Sequence, residues 1–284
     1  MVEIVLSVVI PYYNAMVYLP KLLNSIPDIS EIEVIVVDDH STEDREAYAN
    51  FQGRCKNRNI RFLENPIGKK GAGAARNTGL EVANGKYLLF ADSDDWFTPN
   101  MWEDVKRYIK SNADVIYFPP ISKNQKGELE NRHTHYAELV QKYIVDPSCK
   151  NELCLRYLYW SPCSKVIKRE LVEKENIRYD EIRFSNDMMF STKIGYAAKS
   201  IAAGENIIYC ILSHSGSLTT NTNKNALMLR QKVYCNYYFF LMERLSKQER
   251  KLLGYNWRSD FAQYRKKISI LFFEFFNGKL EEIS

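Results

Sequence analysis

Long apolar runs are missing from this chain. The longest near its C-terminus, Ile268 to Phe273, falls far short of the roughly 20 residues needed to span a bilayer. Paired metal-binding cysteines are missing as well. The six cysteines (Cys55, Cys149, Cys154, Cys163, Cys210 and Cys235) include no Cys-x-x-Cys pair, which argues against a zinc site. There is no dense Lys/Arg stripe: 39 basic and 35 acidic residues leave a net charge of +4. Nucleic acid is therefore not the expected partner, whereas anionic small substrates or an anionic surface are compatible. Met1 to Ser7 has no basic segment or cleavage site, so no signal peptide is expected and free thiols in a reducing cytosol are. Internal repeats and low-complexity tracts are absent too.

What remains is an ordinary globular composition. The 284 residues are 45% hydrophobic and 26% charged, enough to bury a sizeable core. The 19 tyrosines and 14 phenylalanines offer flat faces for core packing or for stacking on sugars and bases.

The first third alternates short apolar runs with amphipathic segments. Strands are expected at Leu6–Ile10, Val34–Val37, Ile60–Leu63, Tyr87–Phe90 and Val115–Phe118. Helices are expected at Val17–Ile26, Thr42–Phe51, Ala74–Ala83 and Asn100–Lys110. Continuous apolar strands between helices imply a mostly parallel sheet covered on both faces, an α/β fold. Beyond Pro120 the pattern loosens. Residues 121–136 read as a loop, 164–167 as a strand, 169–175 and 187–198 as helices, and 207–212 as a strand. From Asn225 onward the chain reads as helical. One boundary is drawn near residue 220.

In such sheets ligands bind beyond the carboxyl ends of the strands. Three strands end there in polar clusters: Tyr13-Asn14, Asp38-Asp39 and Asp92-Ser-Asp-Asp95. Side chains at i and i+2 of an extended segment point the same way, so Asp92 and Asp94 can face one crevice. Two carboxylates there call for a cation, and Mg²⁺ or Mn²⁺ suits them. A solvated acidic turn is the competing reading. Asp95, beside Trp96, reads as structural. Asp39 could accept a nucleobase N–H or serve as a helix cap. Gly68-Lys-Lys-Gly-Ala-Gly-Ala-Ala-Arg-Asn-Thr-Gly79 matches neither a Walker A loop nor a dinucleotide fingerprint. It reads as a loop feeding a helix N-terminus, with Lys69, Lys70 and Arg76 suited to a diphosphate.

Taken together, four segments carry a resemblance: Ser7-Val-Val-Ile-Pro-Tyr-Tyr-Asn14, Val36-Val-Asp-Asp-His-Ser-Thr42, Gly73-Ala-Ala-Arg-Asn-Thr-Gly79 and Phe90-Ala-Asp-Ser-Asp-Asp-Trp96. The chain resembles the GT-A glycosyltransferases of family 2. The resemblance implies an inverting transferase that moves a sugar from a nucleotide-diphosphate sugar, a UDP-sugar favoured, to an acceptor hydroxyl with Mn²⁺ or Mg²⁺. By that resemblance Pro11 and Tyr13 border the nucleoside and Asp39 meets the base. Arg76 lies near the diphosphate or base, Asp92 reaches the ribose or metal, and Asp94 is the main metal ligand. Trp160 is an acceptor wall or a core aromatic. Asp187 is the general base, in an Asn186-Asp187 pair where the family has Glu-Asp. His214 is a further metal ligand or a phosphate contact.

The expected architecture is a GT-A catalytic domain over residues 1–220, with its nucleotide-sugar half over about 1–120 and its acceptor half over 121–220. A helical extension follows over 221–284. The expected setting is cytoplasmic, at the inner face of the membrane, building bacterial surface polysaccharide or lipopolysaccharide on a glycan or lipid-linked glycan acceptor. The basic-aromatic stretch from Arg258 to Phe276 is expected to contact membrane or protein, including a second copy. A sugar-phosphate nucleotidyltransferase and a non-catalytic sugar-binding module stay open as alternatives.

Overall fold

The structure is a computed structural model that describes residues 3–56, 58–214 and 223–254. The central sheet forms as the alternation requires. Strand β1 (Leu6–Tyr12) and β2 (Ile32–Asp38) are buried along their whole length. They pair in parallel, with Tyr12 opposite Asp38. Strand β3 (Ile60–Glu64) extends the sheet beyond β2, and β4 (Tyr87–Phe90) pairs on the other side of β1. Helices α1 (Leu19–Ser25), α2 (Arg45–Arg54) and α3 (Ala72–Val82) make the connections. Sequence order therefore reverses between β1 and β4, and a crevice opens at such a switch point.

After β4 come the short strand β5 (Trp96–Phe97), helix α4 (Met101–Tyr108) and strand β6 (Val115–Tyr117). The stretch read as a loop is different. Residues Pro120–Asn124 form strand β7, and α5 (Thr134–Val145) begins before the expected loop ends. Helix α6 (Cys149–Leu158) follows, then β8 (Lys165–Lys168) and α7 (Arg169–Lys174). Strand β8 inserts antiparallel between β4 and β6. Helix α8 (Asn186–Ala197) leads to β9 (Ile201–Ala203) and β10 (Tyr209–Ser213), and the described chain closes with α9 (Lys224–Arg244) and α10 (Lys247–Leu252). The main sheet runs β3-β2-β1-β4-β8-β6-β9, parallel except for β8. A second sheet runs β5-β10-β7.

Two apolar layers cover the main sheet, one around Val8, Ile10, Leu22, Val36 and Leu89, the other around Val9, Val37, Ala75, Phe90 and Phe190. Helix α9 docks onto this body, packing Val233, Tyr237 and Leu241 against Leu153, Tyr157, Met188 and Met189 of α6 and α8. Among the described residues no helix is long and apolar enough to cross a membrane. The basic-aromatic stretch from Arg258 to Phe276 lies outside the described residues.

Helices α6 and α8 meet closely at Gly195, where an added Cβ would lie 2.3 Å from the Arg156 carbonyl oxygen. That obstacle is backbone and cannot rotate away. Gly195→Ala should cost about 1–3 kcal/mol, as overpacking typically does, read from urea unfolding at constant m-value.

Candidate active site

The carboxyl ends of β1, β2 and β4 bring the three polar clusters to one edge, and side chains stitch the loops together. Asn14 takes a left-handed conformation (φ 46°). Its Oδ1 accepts from the Thr42 and Glu43 N–H groups at 2.8 and 3.0 Å. Asp38 turns inward and accepts from the Ser41 N–H at 2.9 Å. Asp39 spans to the glycine loop: it accepts from Asn65 Nδ2 at 2.8 Å and from the Gly71 N–H at 2.7 Å. Thr78 Oγ1 donates to Asn65 Oδ1 at 2.8 Å, so α3 joins the same network. Gly71 (φ +98°) occupies a region that L side chains rarely adopt, which lets the chain turn sharply into α3. Pro11 is buried in β1, while Tyr13 stands 53% exposed at the rim. Lys69 lies between Glu81 (3.9 Å) and Glu181 (3.6 Å).

The acidic turn after β4 divides its labour. Asp95 is buried and structural. It accepts from the Tyr209 hydroxyl and the Leu212 N–H, both at 2.7 Å. Tyr209 in turn accepts from the Asp92 N–H at 2.8 Å, so one hydroxyl fixes both ends of the turn. Burial, then Asp94 and Asp92, pushes the Asp95 carboxyl well up. Asp94 faces outward and shares a 2.8 Å contact with His214 Nε2. Burial and the nearby Asp92 charge raise its carboxyl, and the His214 contact opposes that shift. His214 also stacks on Tyr18, with ring centroids 5.6 Å apart. Residues 215–219 of the same segment lie outside the described residues.

Hard carboxylate oxygens beside an imidazole suit Mn²⁺ or Mg²⁺. The raised Asp94 carboxyl marks a shortage of positive charge that a divalent cation would relieve. These residues therefore fit a metal, although among the described residues no three acidic, histidine or cysteine side chains gather into a finished cage. Asp92 is instead paired with Arg76.

Arg76 projects from α3, nearly buried at 5% exposure. Its Nη2 meets Asp92 Oδ1 at 2.5 Å and its Nη1 donates to Asn186 Oδ1 at 2.8 Å. Its Nε is buried without a partner among the described residues, and the guanidinium carbon lies 5.2 Å from the Tyr179 ring centroid. Burial alone would loosen its proton, but the surrounding groups, Asp92 foremost and then Tyr179, Cys163 and Asp187, together outweigh it. Asn186 opens α8 after Ser185, itself left-handed at φ 56°. Asp187 follows in the first turn. Burial raises its carboxyl, while Arg76 and more weakly Lys165 pull it back. One guanidinium thus ties the acidic turn to the helix that carries Asp187. A raised carboxyl beside an ion-paired one is the pattern that separates a base from a charge stabiliser.

Trp160 is half-buried. Its Nε1 donates to the Tyr157 carbonyl at 2.6 Å, its own carbonyl accepts from Ser191 Oγ at 2.6 Å, and its ring meets Tyr237 edge-on at 5.5 Å. Sequence reasoning missed Tyr209, Tyr179, Tyr136 and Lys165, all brought to this edge by tertiary packing. A buried tyrosine or lysine leaves no local signature to read.

A parallel sheet broken by one antiparallel strand, with an Asp-Ser-Asp turn at its switch point and the Asn186–Ala197 helix opposite, is the GT-A arrangement. The model of glycosyl transferase family 2 matches residues 7–175, and the chain belongs to that family. It is 36% identical over 216 residues to a poly(ribitol-phosphate) beta-glucosyltransferase of Bacillus spizizenii, covering 73% of this chain and 32% of that protein. It is 28% identical over 231 residues to the glycosyltransferase GlyG of Streptococcus pneumoniae, covering 75% and 72%. The crystal structure of Staphylococcus aureus TarS 1–349 in complex with UDP-GlcNAc shares the fold with a TM-score of 0.69 and 22% identity, over 88% of this chain and 70% of that one. The mannosyltransferase PcManGT of Pyrobaculum calidifontis, solved with GDP-Man and Mn²⁺, aligns with a TM-score of 0.58 at 14% identity, over 86% and 66%. Some relatives are much longer, and the chain spans about a third of the Bacillus spizizenii enzyme.

Tyr209→Phe removes the hydroxyl that holds Asp92 to Asp95. It should cost about 1–3 kcal/mol, as a lost hydrogen bond to a buried charged group does, measured by chemical denaturation. Tyr87→Phe, whose hydroxyl meets only the Ile109 carbonyl at 3.2 Å, is the control and should cost less.

Proposed function

We propose that this glycosyltransferase uses a nucleotide-diphosphate sugar, with a UDP-sugar favoured, and transfers the sugar with inversion to an acceptor hydroxyl. The observation that carries the reading is the Arg76 bridge, which sets Asp92 and the Asn186-Asp187 pair on two sides of one guanidinium. Asp187 takes the proton from the acceptor hydroxyl as its oxygen attacks the anomeric carbon. The bond from that carbon to the diphosphate oxygen breaks, and its electron pair leaves with the diphosphate. Arg76, whose buried Nε has no partner among the described residues, meets the charge that develops on that leaving group. Asp39 with Tyr13 and Pro11 borders the nucleoside, Lys69 the diphosphate, and Trp160 the acceptor. Asp94, Asp92 and His214 would hold Mn²⁺ or Mg²⁺, which would offset diphosphate charge.

The TarS complex contains UDP-GlcNAc and the archaeal mannosyltransferase complex contains GDP-Man. Both complexes support a nucleotide-sugar donor here, and the TarS likeness favours UDP. The names of the Bacillus and Staphylococcus relatives support a surface glycopolymer, including a ribitol-phosphate chain, as acceptor. On this reading residues 1–220 carry the chemistry at the inner face of the membrane, and the appendage that follows begins with α9 and α10; residues 255–284 lie outside the described residues. Family membership sets aside the nucleotidyltransferase alternative.

A thermal-shift screen of UDP-, GDP-, CDP- and dTDP-sugars with each metal should give its largest stabilisation with a UDP-sugar. No response to any of them would sink the donor assignment. Asp187→Asn should lower transfer by about two to four orders of magnitude, the usual worth of general-base catalysis, while nucleotide binding persists. It should also stabilise the fold at neutral pH. A carboxyl raised on folding makes its charged form costly above its folded pKa, and that cost fades as pH falls through it. The Tm gain should therefore shrink toward acid pH, and a gain that grew there would contradict the assignment.

A further inference from the structure

Lys165 is a buried cation that the mechanism above leaves unused. It sits at the start of β8, 1% exposed. Its ammonium donates to the Tyr159 carbonyl at 2.9 Å and lies against two tyrosine rings, 5.0 Å from the centroid of Tyr159 and 5.4 Å from that of Tyr117. No carboxylate pairs with it directly among the described residues. A lysine without an adjacent counterion is rarely buried so completely, because desolvating an ammonium is costly unless another charge repays it.

The surrounding geometry points to where that charge lies. Asp187 and Ser191 stand four residues apart on α8 and so share a face. Ser191 Oγ donates to the Trp160 carbonyl at 2.6 Å. The preceding residue, Tyr159, supplies the carbonyl that holds Lys165. The Tyr159 ring packs on Tyr136, 4.7 Å away. One short segment, 159–160, thus binds the ammonium on one side and the Asp187 face of α8 on the other. We infer that Lys165 is a positioning residue for the reaction: its ammonium, held by the same segment that binds the Asp187 face of α8, keeps the Asp187 carboxylate ionised so that it can accept the acceptor's proton.

The mutual electrostatics agree in sign. Burial draws Lys165 down to about 7, against which Asp187 is the chief restoring charge. Lys165 in return lowers Asp187. The groups facing Asp187 are Arg76 from α3, Asp92 from the acidic turn, Lys165 from β8, Tyr136 from α5 and Tyr179 from the segment before α8. Asp92 opposes ionisation, and the two cations promote it. Arg76 is shared with Asp92, whereas Lys165 faces Asp187 and the Cys163 thiol. Below neutral pH, where a base of this kind loses activity by protonation, Lys165 carries its proton and the interaction is present.

The inference rests on Asp187 as the base, and the test separates the two. Transfer is assayed against pH in wild type, Lys165→Met and Asp187→Asn, with thermal melts of these and of the double variant. Lys165→Met should move the acid limb of kcat upward by about one pH unit, the size expected for loss of a nearby opposite charge, and leave the donor KM within twofold. Its effect on Tm should be less favourable with Asp187 present than in the Asp187→Asn background, since only the carboxylate loses a counterion. An unmoved acid limb, or equal Tm changes in both backgrounds, would overturn the role of Lys165 even if Asp187→Asn is inactive. Full activity of Asp187→Asn would instead overturn the base assignment itself. If Lys165→Met does not fold, Lys165→Gln is used. Failure of both neutral variants to fold, even when combined with Asp187→Asn, would make the lysine a requirement of the fold and reject the inference.

Discussion

The Arg76 bridge is the interaction on which the rest of the site depends. A guanidinium has a fixed planar fork, so contacts to two partners set an angle as well as a distance. Here one branch takes Asp92 at the end of β4 and the other takes Asn186 at the start of α8. The two partners lie far apart in sequence, and no backbone pairing joins them directly. The pair with Asp92 is only half-shielded, since that side chain is 44% exposed, so solvent screens part of its Coulomb gain. Its value lies in geometry more than in stability. Gly73 shows how closely the two halves fit: an added Cβ there would sit 2.3 Å from the Asp180 carbonyl. The glycine is needed for that approach of α3 to the segment before α8.

The same bridge gives the Asn186-Asp187 departure from the family pair a physical sense. Asn186 offers Arg76 a neutral amide oxygen at 2.8 Å, where a glutamate would bring a second carboxylate to the same cation. With asparagine there, Asp92 and Asp187 are the charged groups left to share Arg76. The residue that reads in sequence as a weakened motif keeps the hydrogen bond and drops a competing charge.

How much was legible follows from where the information resides. The strands around the switch point were readable because β1, β2 and β4 are buried on both faces and therefore apolar along most of their length. That the acidic turn, Asp39 and Arg76 gather at one edge was readable because strand ends and a glycine-rich helix start mark one side of a parallel sheet. Strand β7 was not readable: Pro-Ile-Ser-Lys-Asn is polar and owes its strand to backbone pairing with β10. Helices α5 and α6 escaped for want of clear start signals, since neither has a side-chain cap. The insertion of β8 between β4 and β6 has no local cause at all. With it came Lys165, and with β10 came Tyr209, so the residues missed at the site sit on the elements whose placement could not be foreseen.

Charge balance across the site separates its two sides. Around Asp187 the protein supplies two cations of its own, one buried in α3 and one in β8, and the carboxyl is raised despite them. Around Asp94 the opposing influence is the His214 contact, while Asp92 adds to the burden. Asp95 cannot help, because its own carboxyl is committed to Tyr209 and Leu212. A folded chain could have relieved this edge by placing another lysine there, as it has behind α8. That it gathers carboxylates instead leaves this edge short of positive charge, beside an arginine whose Nε has no partner among the described residues. In the proposed function, a metal-accompanied diphosphate would relieve this shortage. On the proposed acceptor side, two of the chain's own cations oppose the burial of Asp187, and the proposed partner there is a neutral hydroxyl.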